Sequence, residues 1–148
     1  MKIRVVLADD HKAFREAVRS LLERDRNIDV IGEAGDGNEA MDLVHSAQPD
    51  VAVMDIRMPG INGVDLLRQL AAAHPLVKLI ILSVTAESIF AAEMLRSGAS
   101  AYVVKADAEE LPRAIDAVMD QRTYLSTEVA GPAAANARAS RAGNSRSE

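Results

Sequence analysis

Asp9 and Asp10 close the apolar run Ile3–Ala8, and Asp55 closes the apolar run Val51–Met54. Lys105 closes a third such run, Ala101–Val104, and Ser83 follows a fourth, Leu79–Leu82. If the runs are neighbouring buried strands, three carboxylates meet at one sheet edge. Such a cluster is costly unless a cation sits in it. A carboxylate can attack phosphorus and form an acyl phosphate, provided a cation offsets its repulsion with the incoming group. Mg²⁺ suits this set, since it takes one or two carboxylates, phosphate oxygens and several waters; Mn²⁺ would serve in its place. Asp10 and Asp55 would bind the ion directly, Asp9 would hold a coordinated water, and the Arg57 backbone carbonyl is close enough in sequence to be a further ligand. Lys105 would neutralise a phosphoryl oxygen as a point charge, and the Ser83 hydroxyl would donate to another. Taken singly, each acid is more often structural, as a helix cap for Asp9 or Asp10 or a turn residue for Asp55; five such groups at strand ends invert that balance and point to a Mg²⁺-assisted phosphoryl site. His11 reads as a solvated loop residue beside the acids, and Tyr102 either as a core residue with its hydroxyl at the rim or, with equal weight, as a residue with a conformational role.

The elements that must position these groups alternate. Strand-like runs at Ile3–Ala8, Ile28–Ala34, Val51–Met54, Leu79–Leu82 and Ala101–Val104 are separated by segments with apolar stripes at helical spacing. The stripes are Phe14, Ala17, Val18, Leu21 and Leu22; Ala40, Met41, Val44 and Ala47; Val64, Leu67, Leu70 and Ala71; a helix through Ile89–Leu95; and Leu111, Ile115, Val118 and Met119. Asp107 and Glu110 have the spacing of a capping pair for the last helix. Alternating strands and helices give a parallel sheet covered on both faces. The expected fold is therefore α/β, a doubly wound five-stranded parallel sheet in the order 2-1-3-4-5. Ligands in such sheets lie beyond the strand carboxyl ends where the order reverses, here between the strands that end in Asp9, Asp10 and Asp55.

Composition narrows the function. The 148 residues contain no cysteine, which excludes a disulfide framework and a thiolate zinc site. No apolar run approaches the roughly 20 residues needed to span a bilayer, and the N-terminus runs directly into a strand pattern, so we read the chain as cytoplasmic with no membrane partner. Net charge is −5. Arg138, Arg141 and Arg146 lie in the last 18 residues, so the body is more acidic still and a poor ligand for nucleic acid. Only four aromatic residues are present, too few to stack bases or a flavin. Residues 131–148 lack Val, Ile, Leu, Met and aromatic side chains, the composition of a flexible tail or the start of a linker. The expected division is 1–128 as the folded domain and 129–148 as that tail.

The motifs Val6-Leu7-Ala8-Asp9-Asp10, Met54-Asp55-Ile56-Arg57-Met58-Pro59-Gly60-Ile61-Asn62-Gly63, Leu82-Ser83 and Gly98-Ala99-Ser100-Ala101-Tyr102-Val103-Val104-Lys105, in this order, resemble the receiver domain of bacterial two-component response regulators. The stretch Tyr124–Ala130 and the opening Val-Leu-Ala-Asp-Asp-His further resemble the LuxR/NarL-type subfamily. The resemblance implies that Asp55 accepts a phosphoryl group from a sensor histidine kinase or acetyl phosphate. It implies Mg²⁺ on Asp10, Asp55 and the Arg57 carbonyl, with Asp9 acting through water and Lys105 and Ser83 on the phosphoryl oxygens. Tyr102 would be the aromatic switch that turns inward with Ser83, and Arg57 and Thr85 would tune the phosphoryl lifetime. A homodimer is among the implied partners. Where many relatives have proline after the site lysine, this chain has Ala106. A LuxR-type output domain needs roughly sixty residues and 23 follow Leu125, so the expectation is a receiver portion of a longer regulator or a single-domain receiver. DNA binding would then belong to an output domain absent from this sequence. Two rivals remain. A haloacid-dehalogenase-type phosphatase also uses an aspartate nucleophile, but needs a second acid where Arg57 stands. A phosphorylation-independent receiver scaffold would normally have lost an acid or the lysine.

Overall fold

The computed structural model describes residues 2–129. Five strands, β1 (Ile3–Ala8), β2 (Ile28–Ala34), β3 (Val51–Asp55), β4 (Lys78–Ser83) and β5 (Ala101–Val104), alternate with α1 (Lys12–Glu23), α2 (Gly37–Ala47), α3 (Gly63–Ala73), α4 (Ser88–Arg96) and α5 (Leu111–Met119). A two-residue strand that the sequence reading did not anticipate, β6 (Tyr124–Leu125), pairs in parallel with β5 and makes the sheet six-stranded, in the order β2-β1-β3-β4-β5-β6. The first five strands keep the expected order, which reverses between β1 and β3.

The continuous apolar runs become strands because both sheet faces are buried, so residues of either parity must be apolar. Val6, Ala8, Ala52, Met54, Ile81, Tyr102 and Val104 face the layer of α2, α3 and α4. Val5, Leu7, Val51, Val53, Ile80, Leu82, Ala101 and Val103 face α1 and α5. Extending this alternation past the strand ends sorts the polar residues. Asp9, Asp55 and Lys105 fall on the α1/α5 side, whereas Ser83 shares the parity of Tyr102 and falls on the α4 side.

Asp36 caps α2 by accepting from Glu39 N–H at 2.8 Å, and the Glu39 carboxylate reaches back to accept from Gly35 N–H, one residue before the cap, at 2.7 Å. The pair Asp107 and Glu110 does not act this way. A 3₁₀ segment, Lys105–Glu110, leads into α5, whose start has no side-chain cap and carries Pro112 in its first turn. Both carboxylates turn instead to the exit segment. Glu110 accepts from Tyr124 Oη at 2.7 Å, and Asp107 accepts from Glu128 N–H at 2.8 Å. Val129 is buried against the α4-side core, so ordered packing reaches the first residue of the expected tail; the tail assignment for residues 130–148 lies outside the described residues. No helix among the described residues is long and apolar enough to cross a membrane.

Candidate functional site: an acidic pocket at the sheet's switch point

Register sets the pocket. Ala8 pairs with Met54, so the next residues, Asp9 and Asp55, stand side by side at the carboxyl end of the sheet. Asp55 pairs with Leu82, and Ser83 with Val104, which brings Lys105 to the same edge two strands away. Lys105 Nζ lies 2.9 Å from Asp9 Oδ2 and 2.9 Å from Asp55 Oδ2. Asp9 and Asp55 are buried, Asp10 is a third exposed and His11 is largely in solvent. The pocket is thus closed beneath and open at the top.

Local hydrogen bonds fix the carboxylates. His11 N–H donates to Asp9 Oδ1 at 2.8 Å, and Arg57 N–H donates to Asp55 Oδ1 at 2.9 Å. These are short turns in which the acid holds its own chain. The loop after Asp55 is packed tightly. Gly60 adopts φ +99°, and a Cβ on Gly63 would stand 2.0 Å from the Ile56 carbonyl oxygen, so only glycine lets α3 start this close to the acid.

The donor set fits a hard divalent cation. Asp9, Asp10, His11 and Asp55 each offer a ligand atom within 4.8 Å of the others. Asp9 Oδ2 is buried and without an aligned hydrogen-bond donor; its neighbour is the Lys105 ammonium at ion-pair distance. A buried carboxylate oxygen satisfied by charge alone is suited to sharing a cation. Burial works against the charge on Lys105, yet its hydrogen bond to Asp55 and the charges of Asp55 and Asp9 outweigh it and raise its pKa above the ordinary lysine value.

Ser83 and Tyr102 lie under the α4 side of the same edge. Ser83 is buried, and its Oγ accepts from Thr85 N–H at 3.1 Å. Tyr102 is fully buried, donates to the Thr85 carbonyl at 2.7 Å and meets Phe90 edge to face. Burial raises the Tyr102 pKa, against smaller lowering effects of the Ser83 hydroxyl and the Arg57 charge. The Arg57 side chain is exposed and Thr85 half-buried at the rim. No described peptide bond is cis, including Lys105–Ala106.

These features coincide with a known architecture. The response regulator receiver domain model matches residues 5–116. The chain belongs to the response regulator receiver family. Its relatives place it in the LuxR/NarL type. It is 37% identical over 129 residues to the transcriptional regulatory protein DegU of Brevibacillus brevis, covering 86% of this chain and 55% of that protein. It is 40% identical over 129 residues to the DNA-binding transcriptional activator DevR/DosR of Mycobacterium tuberculosis, covering 86% of this chain and 59% of that one. The chain therefore spans little more than half the length of these curated relatives. The crystal structure of a LuxR-family two-component response regulator from Aurantimonas sp. SI85-9A1 superposes with a TM-score of 0.83 at 34% identity, covering 94% of this receiver and 99% of that chain.

Three groups around the pocket escaped the sequence reading. Phe14, read only as part of a stripe, places its ring 4.7 Å from Lys105 Nζ. Arg15 donates to the Asp9 carbonyl at 2.6 Å and to Glu33 Oε1 at 2.7 Å. Glu33 also accepts from Arg19 at 2.5 Å. Burial alone would raise the Glu33 pKa, but Arg19 and Arg15 together hold it below the ordinary glutamate value. The sequence signal for Phe14 and Arg15 is slight: they occupy the first turn of the helix that follows the paired acids.

Proposed function

We propose that this receiver is the cytoplasmic phosphoacceptor of a two-component system, with Asp55 taking a phosphoryl group from the histidine of a sensor kinase or from acetyl phosphate. The observation that carries the reading is the meeting of Asp9, Asp10 and Asp55 with Lys105, whose ammonium is 2.9 Å from two of the three carboxylates. In the transfer, an Asp55 carboxylate oxygen forms the new bond to phosphorus. The phosphorus–nitrogen bond of the donor histidine breaks, or the phosphorus–oxygen bond of acetyl phosphate, and the leaving imidazole or acetate takes the electron pair. Asp10 and Asp55, the Arg57 carbonyl, and Asp9 through water would hold Mg²⁺ or Mn²⁺, which supplies positive charge against the repulsion between carboxylate and phosphoryl oxygens. Lys105 offsets charge on one phosphoryl oxygen, and Ser83 donates its hydroxyl to another. The domain performs only its own phosphoryl transfer and slow self-dephosphorylation, with Arg57 and Thr85 at the pocket rim setting the lifetime.

The added charge acts on β4 and β5 through Ser83 and Lys105, with Tyr102 as the buried reporter. A hundredfold population change needs about 2.7 kcal/mol of differential interaction, and two charge-assisted hydrogen bonds supply about 1.5–3 kcal/mol each. The switched surface would favour a homodimer or control a LuxR-type DNA-binding output domain; the receiver unit in this reading is residues 1–128. The decisive experiment is labelling with radioactive acetyl phosphate and Mg²⁺. Wild type takes up acid-labile label, and Asp55→Asn takes none while its circular dichroism stays native. Undiminished label in that variant would refute the assignment.

A further inference from the structure

We propose that Phe14 is a positioning residue for Lys105, its ring seating the ammonium over the pocket so that it meets the phosphoryl group on Asp55. The inference rests on the phosphoacceptor reading of Asp55 and deepens it. Lys105 Nζ has three close partners: the carboxylates of Asp9 and Asp55, and the ring of Phe14 with its centroid at 4.7 Å. The carboxylates are the groups a divalent cation would claim. Were they to turn to a metal and to phosphorus, the ring would be the partner that stays. A cation over an aromatic face is held by the ring quadrupole, and more strongly where water is excluded; the Lys105 side chain is 14% exposed.

The ring is itself fixed. Phe14 packs against the α1-side core, and the next residue, Arg15, ties the first turn of α1 to the end of β1 through the Asp9 carbonyl at 2.6 Å. The helix that flanks the acids therefore presents a flat, electron-rich surface at a set distance from Asp9. A lysine side chain has four rotatable carbon–carbon bonds and would otherwise spread its ammonium over many positions.

The test measures the single-turnover labelling rate constant at saturating Mg²⁺ and acetyl phosphate. Removing the ring face while keeping apolar bulk, Phe14→Leu, is expected to slow labelling by about three- to thirtyfold, from the range of cation–π strengths. Phe14→Tyr, which keeps the face, is expected to restore the rate to within about twofold. The effect must also vanish when the ammonium is gone: Phe14→Leu combined with Lys105→Met should label no more slowly than Lys105→Met alone, the non-additivity of two residues acting as one. If the leucine variant does not fold, Phe14→Met replaces it. Labelling of Phe14→Leu at the wild-type rate, an equally slow Phe14→Tyr, or additive slowing in the double variant would each overturn the proposal while leaving Asp55 as phosphoacceptor. A wild-type domain that takes no label would remove the phosphoacceptor reading and this inference together.

Discussion

Replacing Lys105 with methionine should move metal affinity and phosphoryl transfer in opposite directions. The ammonium lies 2.9 Å from one oxygen each of Asp9 and Asp55, so it holds two of the carboxylates a divalent ion would use. Two unit charges 4 Å apart interact by about 1 kcal/mol in water and about 4 kcal/mol at an effective dielectric of 20. The pocket opens to solvent at Asp10 and His11, so the lower figure is nearer, doubled for a divalent ion. The ammonium can also swing away as the ion arrives, which removes part of the repulsion. Its loss should therefore tighten Mg²⁺ binding by about 1–2 kcal/mol, a factor of about 5 to 30 in Kd. In Mg²⁺-free buffer the variant should be less stable by about 1–3 kcal/mol, because buried Asp9 and Asp55 lose their counter-charge. Mg²⁺ stabilises both proteins by mass action, but the tighter-binding variant gains more, by the same about 1–2 kcal/mol that separates the two affinities, so the gap should narrow on titration. Labelling by acetyl phosphate should fall by about a hundredfold, as expected when a group aimed at developing charge is removed. Calorimetric Mg²⁺ titration, urea melts with and without Mg²⁺, and single-turnover labelling read the three effects. A folded Lys105→Met protein whose Mg²⁺ Kd stays within twofold of wild type would refute the idea that ammonium and metal share these carboxylates.

Two further substitutions test the scaffold. Gly63→Ala would put a Cβ 2.0 Å from the Ile56 carbonyl oxygen. Urea melts should show a loss of about 3 kcal/mol, the upper part of the overpacking range, with slower labelling because Ile56 adjoins Asp55; wild-type stability would mean that the loop is not the tight support described. Glu33 has a folded-state pKa below its ordinary value of 4.5, so the unfolded chain takes up the proton first as pH falls. Its ion pairs with Arg15 and Arg19 therefore stabilise fully above about pH 4.5, and that contribution is lost as pH drops through the depressed value. Glu33→Gln should cost about 1 kcal/mol at pH 7, discounted for partial exposure, and progressively less towards pH 3; a difference from wild type that stays constant over that range would count against the pairing.

The site was legible where strand physics dictates it. Runs of four to six apolar residues that stop abruptly at Asp9, Asp55, Ser83 and Lys105 announce buried parallel strands whose ends meet water. Once the order 2-1-3-4-5 is granted, adjacency of the acids follows. What stayed hidden depends on tertiary placement. Two residues, Tyr124 and Leu125, carry no periodicity, and they become a strand only because the edge of β5 is open to them and Ser126 anchors the end. Asp107 and Glu110 have capping-pair spacing, but a 3₁₀ turn takes the place of the helix start, and their carboxylates find backbone and hydroxyl donors on the exit segment. Phe14 looks like any core stripe residue, because its distance to Lys105 is set by how α1 docks against the sheet.

The division of polar residues between the two faces bears on signalling. Asp9, Asp55 and Lys105 share the parity that faces α1 and α5, while Ser83 and Tyr102 share the parity that faces α4. A phosphoryl group on Asp55 that engaged both Lys105 and Ser83 would reach across β4 and β5 and load both helix layers at once. β5 also carries the exit segment. Ser126 N–H donates to the Tyr102 carbonyl at 3.0 Å, Val104 N–H donates to Ser126 Oγ at 2.9 Å, and Val129 is buried beyond them. Movement of β5 would therefore change the backbone partners of Ser126 directly. Coupling of this kind requires β5 to have two arrangements that the phosphoryl group and the exit segment bias differently. The strand whose end carries the lysine is the strand whose edge holds the departing chain, so a signal at Asp55 needs to cross only two strands to reach it.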